Sequence, residues 1–254
     1  MTDISITIVA YNDEEDVRNA VCSIIEHTAT IIVKKIYIVD NSTEPNELES
    51  FAEQYEEVYY RKPEHNLGFG GGHNYVLSEL DSKYHAIVNP DIILKEDSLG
   101  ILMKFIEDRG CGMAVPKMTD ENGNFQAVYR RELTVWDMGI RMFLSTHFKE
   151  RQAHHTMQDM DYAKPFQVPF AQGSFLVIRT GLFQKLGGFD SRYFMYMEDA
   201  DLCRQVNKCS SLYYCPDTTV IHKWERASHK NGRLRRIHMI SMFRYFCKWG
   251  WKLW

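Results

Sequence analysis

The sequence predicts an α/β fold organised around a mainly parallel sheet, and three observations lead there. Short β-branched runs alternate with segments of helical period through the first third of the chain, as repeated βαβ units do. Each run is closed by polar or glycine-containing stretches that read as turns. With 254 residues, 44% of them apolar and 25% charged, the chain is long enough to bury one continuous core with appendages.

Residues 4–10 (ISITIVA) form the first predicted strand. Residues 13–27 carry Val17, Ala20, Val21, Ile24 and Ile25 at helical spacing, with Asn12 or Asp13 available to cap the start. A second strand over 36–39 ends at Asp40. A helix over 46–55, a strand over 58–61, a glycine-rich loop, a helix to about residue 80 and a strand over 85–88 follow, giving four strands with intervening helices. A helix over 97–108 precedes a strand at 113–116, and TDENGNFQ reads as a hairpin with Asn122-Gly123 at its tip. Residues 130–165, with a His/Gln/Asp/Met-rich middle, read as a lid or insertion. After them come strands over 166–170 and 174–178, helices over 181–186 and from Glu198, and strands near Leu212 and Val220.

No apolar run reaches the roughly 18 residues of a membrane span, and MTDISITIVAYN has no basic segment ahead of its apolar stretch, so a cytoplasmic protein without a secretory signal is expected. Cys22, Cys111, Cys203, Cys209, Cys215 and Cys247 show no CxxC pair or Cys/His ligand spacing, so reduced thiols are expected and a zinc site is not. The net charge of -4 is unevenly spread: residues 222–254 hold nine Lys/Arg against one acid, a net of +8, which leaves -12 on the first 221. A basic terminal arm of this kind meets something anionic.

In an open parallel sheet, ligands bind beyond the carboxyl ends of the strands. The first strand runs into Ala10-Tyr11-Asn12, the second into Asp40-Asn41-Ser42 and the fourth into Asn89-Pro90-Asp91, so one edge collects an aromatic ring and two carboxylates. A nucleotide suits that edge. The ring can stack on a base, one carboxylate can accept a base N–H or a ribose hydroxyl, and the other can hold a divalent cation against a diphosphate. Taken singly, the same residues are ordinary turn formers and helix caps. Gly68-Phe69-Gly70-Gly71-Gly72, flanked by Asn66 and Asn74, lacks the Lys-Ser/Thr of a Walker loop, and His73 stands where a GxGxxG needs its third glycine. It offers close backbone approach to a ligand or a bare turn. Glu198, Asp199 and Asp201 open a helix behind Phe189, Tyr193, Phe194 and Tyr196, as partners of the helix dipole or as a general base among aromatics. Spacing alone leaves both open.

Taken in order, SITIVAYN, IYIVDNS, NLGFGGGHN, NPD, GSFLVIR and GGFDSRYFMYMEDADLCRQV, followed by His222 with Ser228, resemble the inverting family 2 glycosyltransferases of GT-A fold. The likeness is greatest to their bacterial rhamnosyltransferase branch and covers about residues 4–228. It implies a Rossmann-like, mainly parallel sheet with helices on both faces and a smaller acceptor-binding part, to which this chain adds an amphipathic C-terminal tail. Within one continuous domain, 1–117 would be the nucleotide-sugar half, 118–221 the acceptor and catalytic half, and 222–254 a basic aromatic flap and tail.

The resemblance also implies an activity: inverting transfer of a sugar, L-rhamnose foremost, from a dTDP- or UDP-sugar to a hydroxyl of a glycan or lipid-linked acceptor in cell-surface polysaccharide synthesis (O-antigen or capsule). Another hexosyl or a galactofuranosyl donor would suit the same fold. Carried over by position, Tyr11 and Asp40 would hold the pyrimidine base with the Ala10 and Asn12 backbone beside them, and Asn66, Gly70, Asn74 and Asn89 would complete the nucleotide site. Asp91 would be the metal-facing acid, Asn89 standing where the family's first Asp usually stands, and His222 a second metal or diphosphate contact, with Mg2+ or Mn2+ as cofactor. Asp199 of the Glu198-Asp199 pair would be the catalytic base, and Gly173, Phe194 and Tyr196 would meet the acceptor. Arg130, Arg131, Arg226, Lys230 and Arg233 are candidates for a cationic flap over the leaving diphosphate.

Two other classes fare worse. A sugar-phosphate nucleotidylyltransferase needs a glycine-rich loop with Arg and Lys after its first strand, where Tyr11-Asn12-Asp13 stands. A nucleic-acid-binding module would have to tolerate the charge of -12 on the first 221 residues, so no nucleic-acid partner is expected. In the tail, Arg244, Lys248 and Lys252 recur at i, i+4 and i+8, with Ile240, Phe243, Phe246, Trp249 and Leu253 as an apolar side. That pattern suits an interfacial helix, a helix folded onto the core or a homodimer interface alike; the resemblance, through the lipid-linked acceptors of that family's polysaccharide pathways, implies the first, as peripheral contact with the inner face of the membrane.

Overall fold

The computed structural model describes residues 2–143, 147–223 and 232–254. In chain order the first half is β1 (Ile4–Ala10), α1 (Glu14–His27), β2 (Lys34–Asp40), α2 (Leu48–Ala52), β3 (Val58–Arg61), α3 (Gly68–Tyr75), β4 (Tyr84–Val88), β5 (Ile92–Ile93), α4 (Ser98–Arg109) and β6 (Met113–Thr119). The second half is β7 (Tyr129–Arg130), α5 (Val135–Phe143), α6 (Lys149–His155), β8 (Phe166–Gln167), β9 (Phe170–Ala171), β10 (Phe175–Arg179), α7 (Thr180–Leu186), α8 (Glu198–Cys209), β11 (Leu212–His222) and α9 (Gly232–Trp249).

One sheet has the order β3-β2-β1-β4-β10-β6-β11-β5, with β8 also on β11. β1, β2, β3, β4, β6 and β11 all point the same way, and β10 runs against its neighbours β4 and β6. This is the expected α/β class, with six strands sharing one carboxyl edge. Ile4, Ile6 and Ile8 on one face of β1 and Ser5 and Thr7 on the other are all fully buried, so helices cover both faces. Because β6, β10 and β11 belong to this sheet, residues on either side of position 117 share one core.

Three local outcomes depart from the sequence reading. The glycine-rich stretch is helix α3 itself, entered at Gly68 with φ of +73°. Its glycines let the helix lie against its neighbours: a Cβ on Gly72 would come within 2.7 Å of Val9, and one on Gly70 within 2.9 Å of Phe189. The predicted strand over 166–170 is two short ones, because Pro169 has no N–H to give; β8 pairs with β11 and β9 with β7. Conversely, the strands expected near Leu212 and Val220 are one, β11, whose register shifts between Cys215 and Thr219 around Pro216.

The tail also departs. Helix α9 folds onto the core, and the basic residues expected to face lipid turn to protein instead. Lys248 Nζ donates to Asp190 and Asp201 at 2.8 Å, Lys252 Nζ donates to Glu132 at 2.7 Å, and Arg244 donates to the Arg192 carbonyl. Trp249 Nε1 donates to Asp201 Oδ1 at 2.6 Å, and Phe246 is buried. All six cysteines are free.

Candidate active site

The site lies where the parallel strands end. Ala10 and Asp40 face each other in register at the ends of β1 and β2, and the Ala10 carbonyl accepts from the Asn41 N–H at 2.9 Å. Asn12, at φ of 58°, clips the two ends together: its N–H donates to Ser42 Oγ at 2.9 Å, and its Oδ1 accepts from Thr43 and Glu44 N–H groups at 3.1 and 3.2 Å. Between them the Tyr11 ring is 49% exposed, free to stack on a planar ligand.

Asp40 is buried and heavily solvated by protein. Its Oδ1 accepts from the Ser42 N–H at 2.8 Å, and its Oδ2 accepts from Tyr60 OH at 2.8 Å, Lys62 Nζ at 2.8 Å and Asn46 Nδ2 at 3.1 Å. Burial opposes its charge, but the Lys62 ammonium and the Ser42 and Asn46 bonds outweigh it and hold the carboxyl down at about 2. Lys62 Nζ also donates to the Ser42 carbonyl at 2.8 Å, so the end of β2 holds a carboxylate with an ammonium fixed beside it. Tyr60 and Lys62 escaped the sequence reading; the signal was their position at the end of β3, the strand next to β2.

The fourth strand brings Asn89 and Asp91, and β11 brings His222 to meet them. Asp91 Oδ2 lies 3.3 Å from His222 Nε2, while Asp91 Oδ1 and Asn89 Oδ1 are buried without a hydrogen-bond partner. Gln126 fixes the imidazole: its Nε2 donates to the His222 carbonyl at 2.8 Å, which turns its Oε1 toward His222 Nδ1 at 2.8 Å. That arrangement gives Nδ1 a proton to donate to Gln126 and turns Nε2 toward Asp91. Two acceptors 3.3 Å apart repel unless a cation or a proton lies between them. The pair therefore fits a divalent metal that draws its remaining ligands from phosphate and water, as Mg2+ sites commonly do. Among the described residues no group of three or more His, Cys, Asp or Glu is gathered for a self-sufficient metal cage. Asp13 stands behind this pair; burial first, then the charges of Asp16 and Asp91, push it up to about 6. Gln126, 96 positions from His222, gave no signal in the sequence.

Next to Asn89, whose N–H donates to the Ser174 carbonyl at 2.8 Å, Gly173 leads to helix α8, which begins at Glu198. Asp199 Oδ2 accepts from the Gly173 N–H at 3.1 Å and its Oδ1 from the Ala200 N–H at 2.8 Å, so both oxygens are oriented by backbone. A Cβ on Gly173 would stand 3.1 Å from Asp199 Cβ, which explains the glycine. Glu198 is 4% exposed and its Oε2 has no hydrogen-bond partner. Burial, and after it the charge of Asp199, push its carboxyl well above the ordinary range, so Glu198 keeps its proton while Asp199 stays half-exposed beside it. Tyr196 and Met197, both at positive φ, form the turn that drives Glu198 inward. The Tyr196 ring packs on His238 of α9 at 4.6 Å, and Phe194 is 37% exposed.

Several predicted site residues have other work. Both polar atoms of the Asn74 side chain bond the Phe189 backbone, at 2.7 and 2.8 Å, and Gly70 is buried against Phe189 and Glu198, so these two brace the segment leading into α8 where a nucleotide contact was expected. Asn66 Oδ1 accepts from the Gly68 N–H at 2.8 Å and starts α3. Arg130 is buried over the Phe170 ring, and Arg131 pairs with Asp159 at 2.9 Å, so neither serves as a flap. Arg226, Ser228 and Lys230 lie outside the described residues.

A buried carboxylate at the end of β2, a carboxylate–imidazole pair and a helix-borne carboxylate lie around one edge of this sheet, and the fold is that of the GT-A transferases. The family model described as Glycosyl transferase family 2 matches residues 5–187, and the chain belongs to that family. It is 29% identical over 194 residues to the rhamnosyltransferase WbbL of Escherichia coli K12, across 71% of this chain and 70% of that protein. It is 25% identical over 221 residues to the N-acetylglucosaminyl-diphospho-decaprenol L-rhamnosyltransferase of Mycobacterium tuberculosis, across 81% of this chain and 71% of that protein. Among solved structures, GalNAc-T7 with UDP, GalNAc and Mn2+ superposes with a TM-score of 0.69 at 15% identity, over 96% of this chain but 50% of that one. The Pyrobaculum calidifontis mannosyltransferase PcManGT with GDP-Man and Mn2+ gives 0.67 at 14%, over 96% of this chain and 64% of that one. This chain thus spans half to two thirds of those structures, and they share its fold.

Proposed function

We propose that this glycosyltransferase moves a sugar, L-rhamnose foremost, from a pyrimidine nucleoside diphosphate to a hydroxyl of a glycan or lipid-linked acceptor, with inversion, in bacterial cell-surface polysaccharide synthesis. The observation that carries this reading is the convergence of Asp40, the Asp91–His222 pair and Asp199 on one edge of the sheet. The rhamnosyl donor is supported by the names of the relatives at 25 and 29% identity. An acceptor of that class would be met at the inner face of the membrane.

The roles follow from the chemistry of each group. Tyr11 stacks on the base, Asp40 accepts its N3–H, and Lys62 donates to the neighbouring carbonyl oxygen; a uracil or thymine edge carries that donor beside an acceptor, whereas cytosine reverses both. Asp91 and His222 would hold Mg2+ or Mn2+ against the diphosphate, where the metal would neutralise the charge of the leaving group. Asp199 takes the proton of the acceptor hydroxyl as that oxygen attacks the anomeric carbon, while neutral Glu198 spares the site a second charge.

A thermal-shift panel of nucleoside diphosphates and nucleotide sugars, with and without Mn2+ or Mg2+, tests the reading. Stabilisation by UDP or dTDP that grows with metal supports it, and a response to purine diphosphates alone contradicts it. Asp91→Ala should remove the diphosphate response and its metal dependence together, and a wild-type enzyme fully active in EDTA would sink the metal role.

A further inference from the structure

Helix α9 has one side that neither the core nor the reaction uses. The core takes Ser241, Tyr245 and Phe246, and it leaves Met239 and Ile240 each 43% exposed and Phe243 59% exposed. Arg236, Ile240, Phe243 and Cys247 follow one another at steps of four, three and four, which is a single stripe on an α-helix, and all four are exposed. The stripe continues past the helix: Trp251, 51% exposed, packs on Phe243 with ring centroids 5.5 Å apart, and Trp254, 71% exposed, packs on Trp136 at 5.5 Å.

We infer that this face docks the protein on an anionic lipid surface, with Met239, Ile240, Phe243 and Trp251 among the headgroups and the exposed Arg236 over the negative charge. The sign of the charge decides the occupant. Residues 232–254 contain no Asp or Glu, so a second copy seated on this face by a twofold axis would bring two net-basic segments against each other. An anionic bilayer supplies the counter-charge along its whole plane, and indole rings favour its headgroup layer. The helix would lie in the surface, since among the described residues no helix is long and apolar enough to cross a membrane. The Arg244 and Lys248 side of α9, spent on Arg192, Asp190 and Asp201, is not the docking side. The contact between Tyr196 and His238 would turn the acceptor segment toward the lipid; that orientation rests on the acceptor reading above, whereas docking itself does not.

The test uses the full chain, because cutting near Gly232 would strip Asp201 of Lys248 and Trp249. Sucrose-loaded vesicles of phosphatidylglycerol and phosphatidylcholine, and of phosphatidylcholine alone, are sedimented with wild type, with the double variant Ile240→Glu/Phe243→Glu, and with Arg236→Ser as a milder probe. Wild type should pellet with the anionic vesicles only, and lose that binding in about 0.5 M salt, where the Debye length falls below about 5 Å. The double variant should bind about tenfold or more weakly with an unchanged melting temperature, and Arg236→Ser should bind more weakly than wild type. Wild type that stays in the supernatant overturns the inference, as does a folded double variant that binds like wild type. A dimer in sedimentation velocity that the double variant dissolves, with vesicle binding unchanged, also overturns it and gives the face to a second copy.

Discussion

Asp199→Asn should lower glycosyl transfer by about 10²-fold or more and leave the thermal shift produced by a nucleoside diphosphate intact. The substitution keeps the shape of the side chain and the N–H groups of Gly173 and Ala200 that orient it, so what it removes is basicity. The neighbouring carboxyl supplies the control. Glu198 is buried and already protonated, so Glu198→Gln changes neither charge nor shape and should retain far more turnover than Asp199→Asn. If Asp199→Asn keeps more than about a tenth of wild-type turnover, or if Glu198→Gln is the more damaging of the two, the base has been assigned to the wrong residue.

Lys248→Met should destabilise the folded protein by about 3 kcal/mol or more, read from urea unfolding, although Lys248 touches nothing in the reaction. Asp201 is fully buried at the start of α8, and Lys248, Trp249 and Gln205 supply its hydrogen bonds. Removing the ammonium leaves a buried carboxylate held by neutral donors and takes one of the two cations from Asp190, whose remaining partner is Arg192. Joint replacement of Lys248 and Asp201 by apolar residues should recover part of the loss, because no orphaned charge is then left behind. A loss below about 1 kcal/mol in the single variant would mean that α9 is not the clamp on α8 described above.

The same network shows why the tail was half legible. Helical spacing puts Arg244, Lys248 and Lys252 on one side, and it does so correctly, but a periodicity cannot say which side meets protein. That was decided by Asp190, Asp201 and Glu132, acids scattered over some seventy positions of sequence. The strand ends were easier. A β-branched run that closes on Tyr11-Asn12, on Asp40 or on Asn89-Pro90-Asp91 announces both the strand and the polar residue it delivers, so the site's edge could be read from the chain alone. Partners contributed by other elements could not: Lys62 reaches Asp40 from β3, and Gln126 reaches His222 from the turn after β6. The glycines of α3 misled for a physical reason. Four glycines around Phe69 read as a loop by propensity, whereas the structure uses the glycines' lack of Cβ atoms to seat a helix against Val9 and Phe189.

Asp199 acting as base on the acceptor hydroxyl requires a single displacement at the anomeric carbon. The anomeric configuration of the product, read by NMR from the one-bond C1–H1 coupling after transfer from the nucleotide sugar that the binding panel selects, tests it most directly. A product of opposite configuration to the donor is the predicted result, and a product of the same configuration would contradict the account.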